Sequence, residues 1–259
     1  MKKRIGSILI LSLIFAILSC ATAFAHEFIL KPVQLTAEKG QLVPFSVVSA
    51  HVFMISEEME PLDKVDVKLI SGDKTTDVKL SPNEMLMTLD GQIKPETEGT
   101  LIMAGHRQGI IWTNTTKGWK QQSKKGLKGV ISSGKYEKFC KTLITVGQPD
   151  DNYKKVLGKG LEIVPMSNPA LAKVGDEIVF QTLLDGKPVA VENMLATYDG
   201  FTLTPNSFAY FTEPYGEGLA KVKITAPGTW MVRVQHKDSA PTADYDSYVM
   251  RSVLVFEVK

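Results

Sequence analysis

The chain has 259 residues, of which 44% are hydrophobic, and it carries 30 lysines and arginines against 28 aspartates and glutamates. This near balance of charge argues against nucleic acid or an anionic membrane surface as the partner. Two cysteines cannot supply a disulfide framework, so stability has to come from a hydrophobic core, and this length suffices for one large or two small domains.

The first 25 residues are typical of a secretory signal. Three basic residues near the start precede an apolar run at 5–17, and residues 23–25 read AFA, a small-x-small cleavage site. Cleavage there gives a chain that begins at His26, has 27 basic against 28 acidic residues, and keeps Cys140 as its one cysteine. We therefore expect a periplasmic or otherwise extracytoplasmic protein.

A second cleavage site competes with the first. Residues 17–20 read ILSC and resemble a lipobox, which would leave Cys20 lipidated and tethered to a membrane. The bulky Leu18 weakens this match. We expect membrane attachment only if Cys20 is lipidated.

Beyond the signal, apolar residues mostly alternate with a period of two, which is typical of β-strands. In the first half the pattern predicts strands near 27–31, 42–50, 65–70, 76–80, 98–104 and 108–112. In the second half it predicts strands near 161–164, 177–184, 191–197, 208–212, 219–225, 229–236 and 248–258. Turn signals such as Asp185-Gly186 separate them at intervals of ~8–12 residues, which indicates β-sandwiches.

One interval breaks the pattern. Residues 134–146 show helical spacing, with four side chains on one face: Tyr136, Phe139, Cys140 and Leu143. A breaker cluster, GQPDD, follows and places the domain boundary. We predict an all-β chain with a signal peptide at 1–25, a β-rich domain at 26–147 that ends in a helix, and an Ig-like β-sandwich at 148–259. The two sandwich domains are thus joined by a short helix-containing segment.

Four histidines, His26, His51, His106 and His236, are the candidate metal ligands. Each lies at the edge of a predicted strand, where a scaffold and solvent access coincide. In a chain that begins at His26, the α-amine and Nδ1 can close a chelate ring, and one further imidazole gives a site suited to copper, nickel or cobalt. We expect His51 and His236 to be the partners and rank His106 lower. Alternatively, His26 reflects only the cleavage site, and the others are surface groups.

No catalytic motif accompanies these histidines. The sequence contains no G-x-S-x-G, H-E-x-x-H, Walker loop or dinucleotide fingerprint, so we expect no enzyme. A copper oxidase built on His26 is the remaining enzymatic option. The acidic run at 57–60, EEME, is interpreted as a solvated loop that can attract cations.

Several long segments are shared with a known family. They are VLGKGLEIVPMSNPALAKVGDEIVFQTLLDGKPV at 156–189, ATYDGF at 196–201, PGTWMVRVQHK at 227–237 and VLVFEV at 253–258. With AHEFILKP after the signal, they resemble the domain of unknown function 4198 family, a NikM-like group associated with periplasmic components of nickel and cobalt uptake. The resemblance implies a metal-binding accessory protein that captures nickel or cobalt, with copper as the alternative, or delivers the metal to membrane metal transporter components.

The alternative is a non-enzymatic Ig-like binding or adhesion module for a carbohydrate or protein ligand. Five aromatic residues offer a binding platform if they are exposed: Trp112, Trp119, Tyr210, Phe211 and Tyr215. Packing in the two cores is the interpretation that we favour for them.

Overall fold

The computed structural model describes residues 26–259, so the predicted signal and Cys20 lie outside the described residues. Within this range the chain forms strands and three 3₁₀ turns, at Leu62–Lys64, Asp151–Lys154 and Pro169–Leu171, and no α-helix. No helix in the described range is long and apolar enough to cross a membrane.

Most of the predicted strand positions are occupied by strands, but those predicted at 98–104 and 108–112 form one continuous strand. The strands at 36–37, 81–83, 88–93, 118–120 and 187–188 were not predicted. In chain order the strands are β1 (Glu27–Pro32), β2 (Thr36–Ala37), β3 (Val43–Ala50), β4 (Val65–Ser71), β5 (Lys74–Asp77), β6 (Ser81–Asn83), β7 (Thr88–Ile93), β8 (Gly99–Thr115), β9 (Gly118–Lys120), β10 (Val130–Val146), β11 (Leu161–Pro165), β12 (Glu177–Leu184), β13 (Lys187–Pro188), β14 (Met194–Tyr198), β15 (Tyr210–Thr212), β16 (Leu219–Lys223), β17 (Gly228–Asp238) and β18 (Ser247–Val258). The expectation of an all-β chain is confirmed.

The strands form three sheets in a layered sandwich. The central sheet has the order β15-β14-β17-β18-β10-β8-β4-β5, with β2 added beside β10 and β9 beside β8. One outer sheet has the order β1-β3-β7-β6, and the other is made of β11, β12, β13 and β16. Each outer sheet encloses one hydrophobic core against the central sheet.

The central strands have both faces buried. Along β18, Val253 and Val255 belong to the first core, whereas Leu254 and Phe256 belong to the second. Successive side chains of a strand point to opposite faces, so an unbroken apolar run is what a strand between two cores requires. The two layers of apolar side chains are thus held by one shared sheet.

The predicted helix at 134–146 is wrong, because this segment is part of β10. It pairs with β8 on one side and with β18 on the other. A strand that is buried on both faces carries apolar side chains at most positions, and some of these positions also match the spacing of a helix. This coincidence led to the incorrect prediction of a helix. Four of the five residues at 142–146, TLITV, are β-branched, and they favour the strand because their side chains pack well on a pleated surface.

The predicted domain boundary lies between β10 and β11 and stays a prediction. The first half of the chain supplies most of the first core, and the second half supplies most of the second core. However, β18 of the second half pairs in parallel with β10 of the first half, from Gly134↔Ser247 to Thr142↔Val255. The two halves are therefore continuous through the central sheet.

Candidate metal centre

The strand register brings His26 and His51 together. His26 directly precedes β1, and His51 directly follows β3. These strands are antiparallel, and Glu27 pairs with Ala50, so the next residue outward on each strand is a histidine. The centroids of the two imidazole rings lie 3.9 Å apart, and both rings are half-buried.

Glu57 completes a three-residue cluster. The chain turns back after His51, and Ser49 forms a β-bridge with Glu58, which places Glu57 beside both rings. Its Oε2 lies 2.8 Å from His51 Nδ1 and 3.5 Å from His26 Nε2. Its Oε1 accepts a hydrogen bond from the backbone N–H of His51 at 2.9 Å. One potential ligand atom from each residue lies within 4.8 Å of the other two.

Glu58 holds the His26 ring from the other side. Its Oε1 lies 2.9 Å from His26 Nδ1, which leaves Nε2 facing Glu57. The hydrogen bond with His26 lowers the pKa of Glu58 to about 2, although burial acts in the opposite direction. A carboxylate that accepts from one ring nitrogen orients the other nitrogen toward a metal. The chelate expected from the sequence would use the α-amine and Nδ1 of His26, but in this structure Nδ1 faces Glu58.

The donor set suits a divalent transition metal. Imidazole nitrogens with a carboxylate oxygen are ligands for nickel, cobalt, copper, zinc and iron. Adjacent ligands on an octahedral ion lie about 3 Å apart when the bonds are ~2.1 Å long, and the distances of 2.8 Å and 3.5 Å are near that spacing. Burial opposes ionisation of Glu57, but hydrogen bonds from the side chain and backbone of His51 hold its pKa below the usual value. The carboxylate is therefore charged, and a metal bound here would replace the proton that His51 Nδ1 shares with it.

A buried ion cluster fixes the loop that carries these carboxylates. Glu60 is buried and lies 2.6 Å from Lys138 Nζ and 3.5 Å from Arg107 Nε. The hydroxyl of Ser49 lies 3.2 Å from a Glu58 oxygen and 3.1 Å from a Glu60 oxygen. The interpretation of 57–60 as a solvated loop is thus wrong for Glu60, and Glu57 is a potential ligand that sequence reasoning missed.

The other two histidines lie elsewhere. His106, within β8, places Nε2 at 2.5 Å from Glu137 Oε1 and stacks on Phe139 with ring centroids 4.9 Å apart. His236 lies near the end of β17, opposite Met250 of β18. Among the residues that the structure describes, neither His106 nor His236 belongs to the group of potential metal ligands around His26. Of the predicted partners, His51 is brought to His26 and His236 is not.

The predicted core packing of the aromatic residues is wrong for four of the five. The exposed side chains are Trp112, Trp119, Phe211 and Tyr215. Tyr210 alone among the five is partly buried and packs against the second core. Cys140, in contrast, is buried as expected, although in a strand, and burial raises the pKa of its thiol to about 12.

The sequence matches the model of one protein family, described as Domain of unknown function (DUF4198), over residues 23–238. The chain belongs to the DUF4198 family. No curated protein matches this DUF4198 chain.

Solved structures resemble the chain only distantly. The D0-D1 domain of Intimin is 12% identical, with 90% of this chain and 99% of that chain covered and a TM-score of 0.25. The ectodomain of mouse nectin-like molecule 4 is 12% identical, with coverage of 90% and 65% and a TM-score of 0.22. A DUF4785 family protein from Legionella pneumophila is 9% identical, with coverage of 80% and 51% and a TM-score of 0.27. Such low scores carry no argument, so the architecture rests on the strand pairing of the chain itself.

Proposed function

We propose that this protein is an extracytoplasmic metal-binding accessory protein that captures Ni(II) or Co(II) and delivers it to membrane metal transporter components. The observation that carries the proposal is the convergence of His26, His51 and Glu57 on one point at the rim of the fold. Two imidazoles and one carboxylate would hold the ion and leave coordination positions open for exchange with a partner.

Three further features support a site for reversible binding. The donors lie at strand ends and in a loop, where an ion can enter and leave. Glu58 orients the His26 ring, as the outer carboxylates of metal sites do. The resemblance to a family associated with nickel and cobalt uptake, together with the export signal expected at 1–25, favours these two metals and a location outside the cytoplasm.

Calorimetric titration tests the proposal. The chain that begins at His26 is titrated with Ni(II), Co(II), Cu(II) and Zn(II), and we expect one equivalent of Ni(II) or Co(II) to bind. His51→Ala should lower the affinity by about a hundredfold or more, because a first ligand contributes more than the 10–100-fold typical of an outer one. His236→Ala is the matched control, a half-buried strand-end histidine outside the cluster. Absence of binding, or an equal loss in both variants, would overturn the proposal.

A further inference from the structure

A cleft of about 510 Å³ opens beside the metal centre and has His26 in its wall. We call it the tryptophan cleft and define it by the residues on which the argument rests: His26, Arg107, Trp112, Trp119, Tyr136 and Lys138. A metal ion on His26 and His51 would therefore lie at the edge of a space that is large enough for a small organic molecule.

The aromatic wall of the cleft follows from the strand register. Ile110 pairs with Tyr136, and Asn114 pairs with Trp119 across the β8–β9 hairpin. Residues opposite each other, or two apart on one strand, share a face, so Trp112 lies on the same face as Tyr136 and Trp119. Trp112 is 38% exposed and Trp119 is 49% exposed. Tryptophan gains most from being covered, so two exposed indoles in one cleft indicate a stacking surface for a ligand.

The floor of the cleft carries buried positive charge. Arg107 and Lys138 face each other on β8 and β10, and each is 4% exposed. Arg107 donates from one terminal nitrogen to the carbonyl oxygens of Gln108 and Tyr136, both at 2.8 Å. Its buried Nε has no hydrogen-bond partner in the described part of the chain, although Glu60 lies 3.5 Å away. Arg107 and Lys138 thus share the single carboxylate of Glu60, and two buried cations beside one carboxylate favour a further anion in the cleft.

The charge balance specifies the ligand further. The carboxylates at the centre and its loop are Glu57, Glu58 and Glu60, and the buried cations beside them are Arg107 and Lys138. A divalent ion added to these groups leaves one net positive charge, and the α-amine of a chain that begins at His26 adds to this excess. In a partly buried site an excess charge is costly, so a negatively charged ligand is favoured.

We propose that the tryptophan cleft binds an organic chelator, an amino carboxylate that bears an aromatic or heteroaromatic ring, together with the metal. Its amine and carboxylate fill coordination positions that His26, His51 and Glu57 leave open, and its ring stacks on Trp112 and Trp119. The protein thus takes up the metal as a chelate rather than as a bare ion. This inference rests on the proposed function.

The test compares Ni(II) alone, Ni(II) with L-phenylalanine, and Ni(II) with glycine. Both amino acids bind nickel through the amine and the carboxylate, and only phenylalanine carries a ring, which does not coordinate the metal. We expect native mass spectrometry of the chain that begins at His26 to show a 1:1:1 complex of protein, nickel and phenylalanine. In calorimetry, Ni(II)–phenylalanine should bind more tightly than Ni(II)–glycine. One stacked ring accounts for a difference of roughly fivefold to a hundredfold.

Variants test whether the cleft causes this gain in affinity. Trp119→Ala, in the short exposed strand β9, should remove the preference for the phenylalanine chelate and leave the binding of Ni(II) alone unchanged. Trp112→Phe keeps a ring and should retain part of the preference, and Phe211→Ala, an exposed aromatic outside the cleft, should retain all of it. If Ni(II) alone binds but phenylalanine only removes it from the protein, or binds no better than glycine, the inference is overturned and the proposed function stands. If no nickel binds in any form, both are overturned.

Discussion

At the scale of single residues, the candidate metal centre depends on groups that are not themselves potential ligands. Glu58 accepts from Nδ1 of His26 and so determines which ring nitrogen faces Glu57 and His51. The buried cluster of Glu60 with Lys138 holds the loop that presents both carboxylates. The affinity of the centre should therefore respond to residues outside the three ligands.

Replacing Glu58 tests this role directly. Glu58→Ala leaves Nδ1 of His26 without its acceptor, and we expect the affinity for Ni(II) to fall by about tenfold to a hundredfold. Calorimetric titration measures the change. Glu177→Ala, which removes an exposed carboxylate in β12, is the control and should bind as the unaltered chain does. Equal affinity of Glu58→Ala and the control would show that the ring needs no orienting carboxylate.

The α-amine of His26 allows a second test at this scale. Because Nε2 faces the cluster, a chain that keeps Ala25 ahead of His26 should bind Ni(II) within about threefold of the chain that begins at His26. Titration of both chains under one buffer condition measures the ratio. A loss of about a hundredfold in the longer chain would instead indicate that the α-amine and Nδ1 chelate the metal.

At the scale of strands, a polar network joins the three long central strands. Glu137 of β10 bonds to His106 of β8 and accepts from the Tyr248 hydroxyl of β18, with Lys135 3.4 Å away. Burial opposes ionisation of Glu137, but the hydrogen bonds from His106 and Tyr248 and the charge of Lys135 lower its pKa to about 2. The network should therefore stabilise the ionised, folded form.

Acid unfolding tests the network. A carboxyl whose pKa is lower in the folded than in the unfolded state stabilises the fold above its unfolded pKa, and this contribution is lost as the pH falls through the folded pKa. For Glu137 the loss should run from about pH 4.5 to about pH 2, on the order of 3 kcal/mol. Urea unfolding at pH 7 and pH 3 measures the part of this loss that occurs above pH 3, about 2 kcal/mol. In Glu137→Gln the difference should shrink. An unchanged pH profile in this variant would exclude the network as its cause.

Strand positions could be predicted because alternation is a local property. The β12–β13 hairpin also follows from sequence, since Asp185 and Gly186 adopt the positive φ angles of 49° and 77° that a tight turn requires. The secondary structure of residues 134–146 could not be predicted from this alternation. Burial on both faces of β10 depends on distant strands, and its apolar run fits either period.

At the scale of the whole molecule, the central sheet couples the two halves. The first core includes Met231, Val253 and Val255 from the second half, and the second core includes Ile102 and Leu143 from the first. Each half therefore contributes apolar side chains to the core of the other. The predicted boundary near residue 147 divides the sequence, but both cores contain side chains from both sides of it.

Calorimetry tests this coupling. We expect one unfolding transition with equal calorimetric and van't Hoff enthalpies, because the loss of β18 would expose one edge of β10 and part of both cores. The fragment 26–147, expressed alone, should lack a cooperative transition for the same reason. Two resolved transitions, or a fragment that unfolds cooperatively, would instead support independent domains.

The convergence of residues at the candidate metal centre could be predicted from sequence only in part. His26 and His51 stand out as strand-edge histidines, but their contact depends on the pairing of Glu27 with Ala50, a register set by tertiary structure. The sequence did not identify Glu57 as a potential ligand, because nothing distinguishes one glutamate of an acidic run from its neighbours. His236 lies at a strand end as expected, but on a strand that does not lead to the centre.

A crystal of the chain that begins at His26, grown with Ni(II) and measured at the nickel absorption edge, tests the account most directly. The account predicts one strong anomalous peak, about 2.1 Å from His26 Nε2, His51 Nδ1 and Glu57 Oε2. No peak at this position, or a peak at His106 or His236 instead, would contradict it.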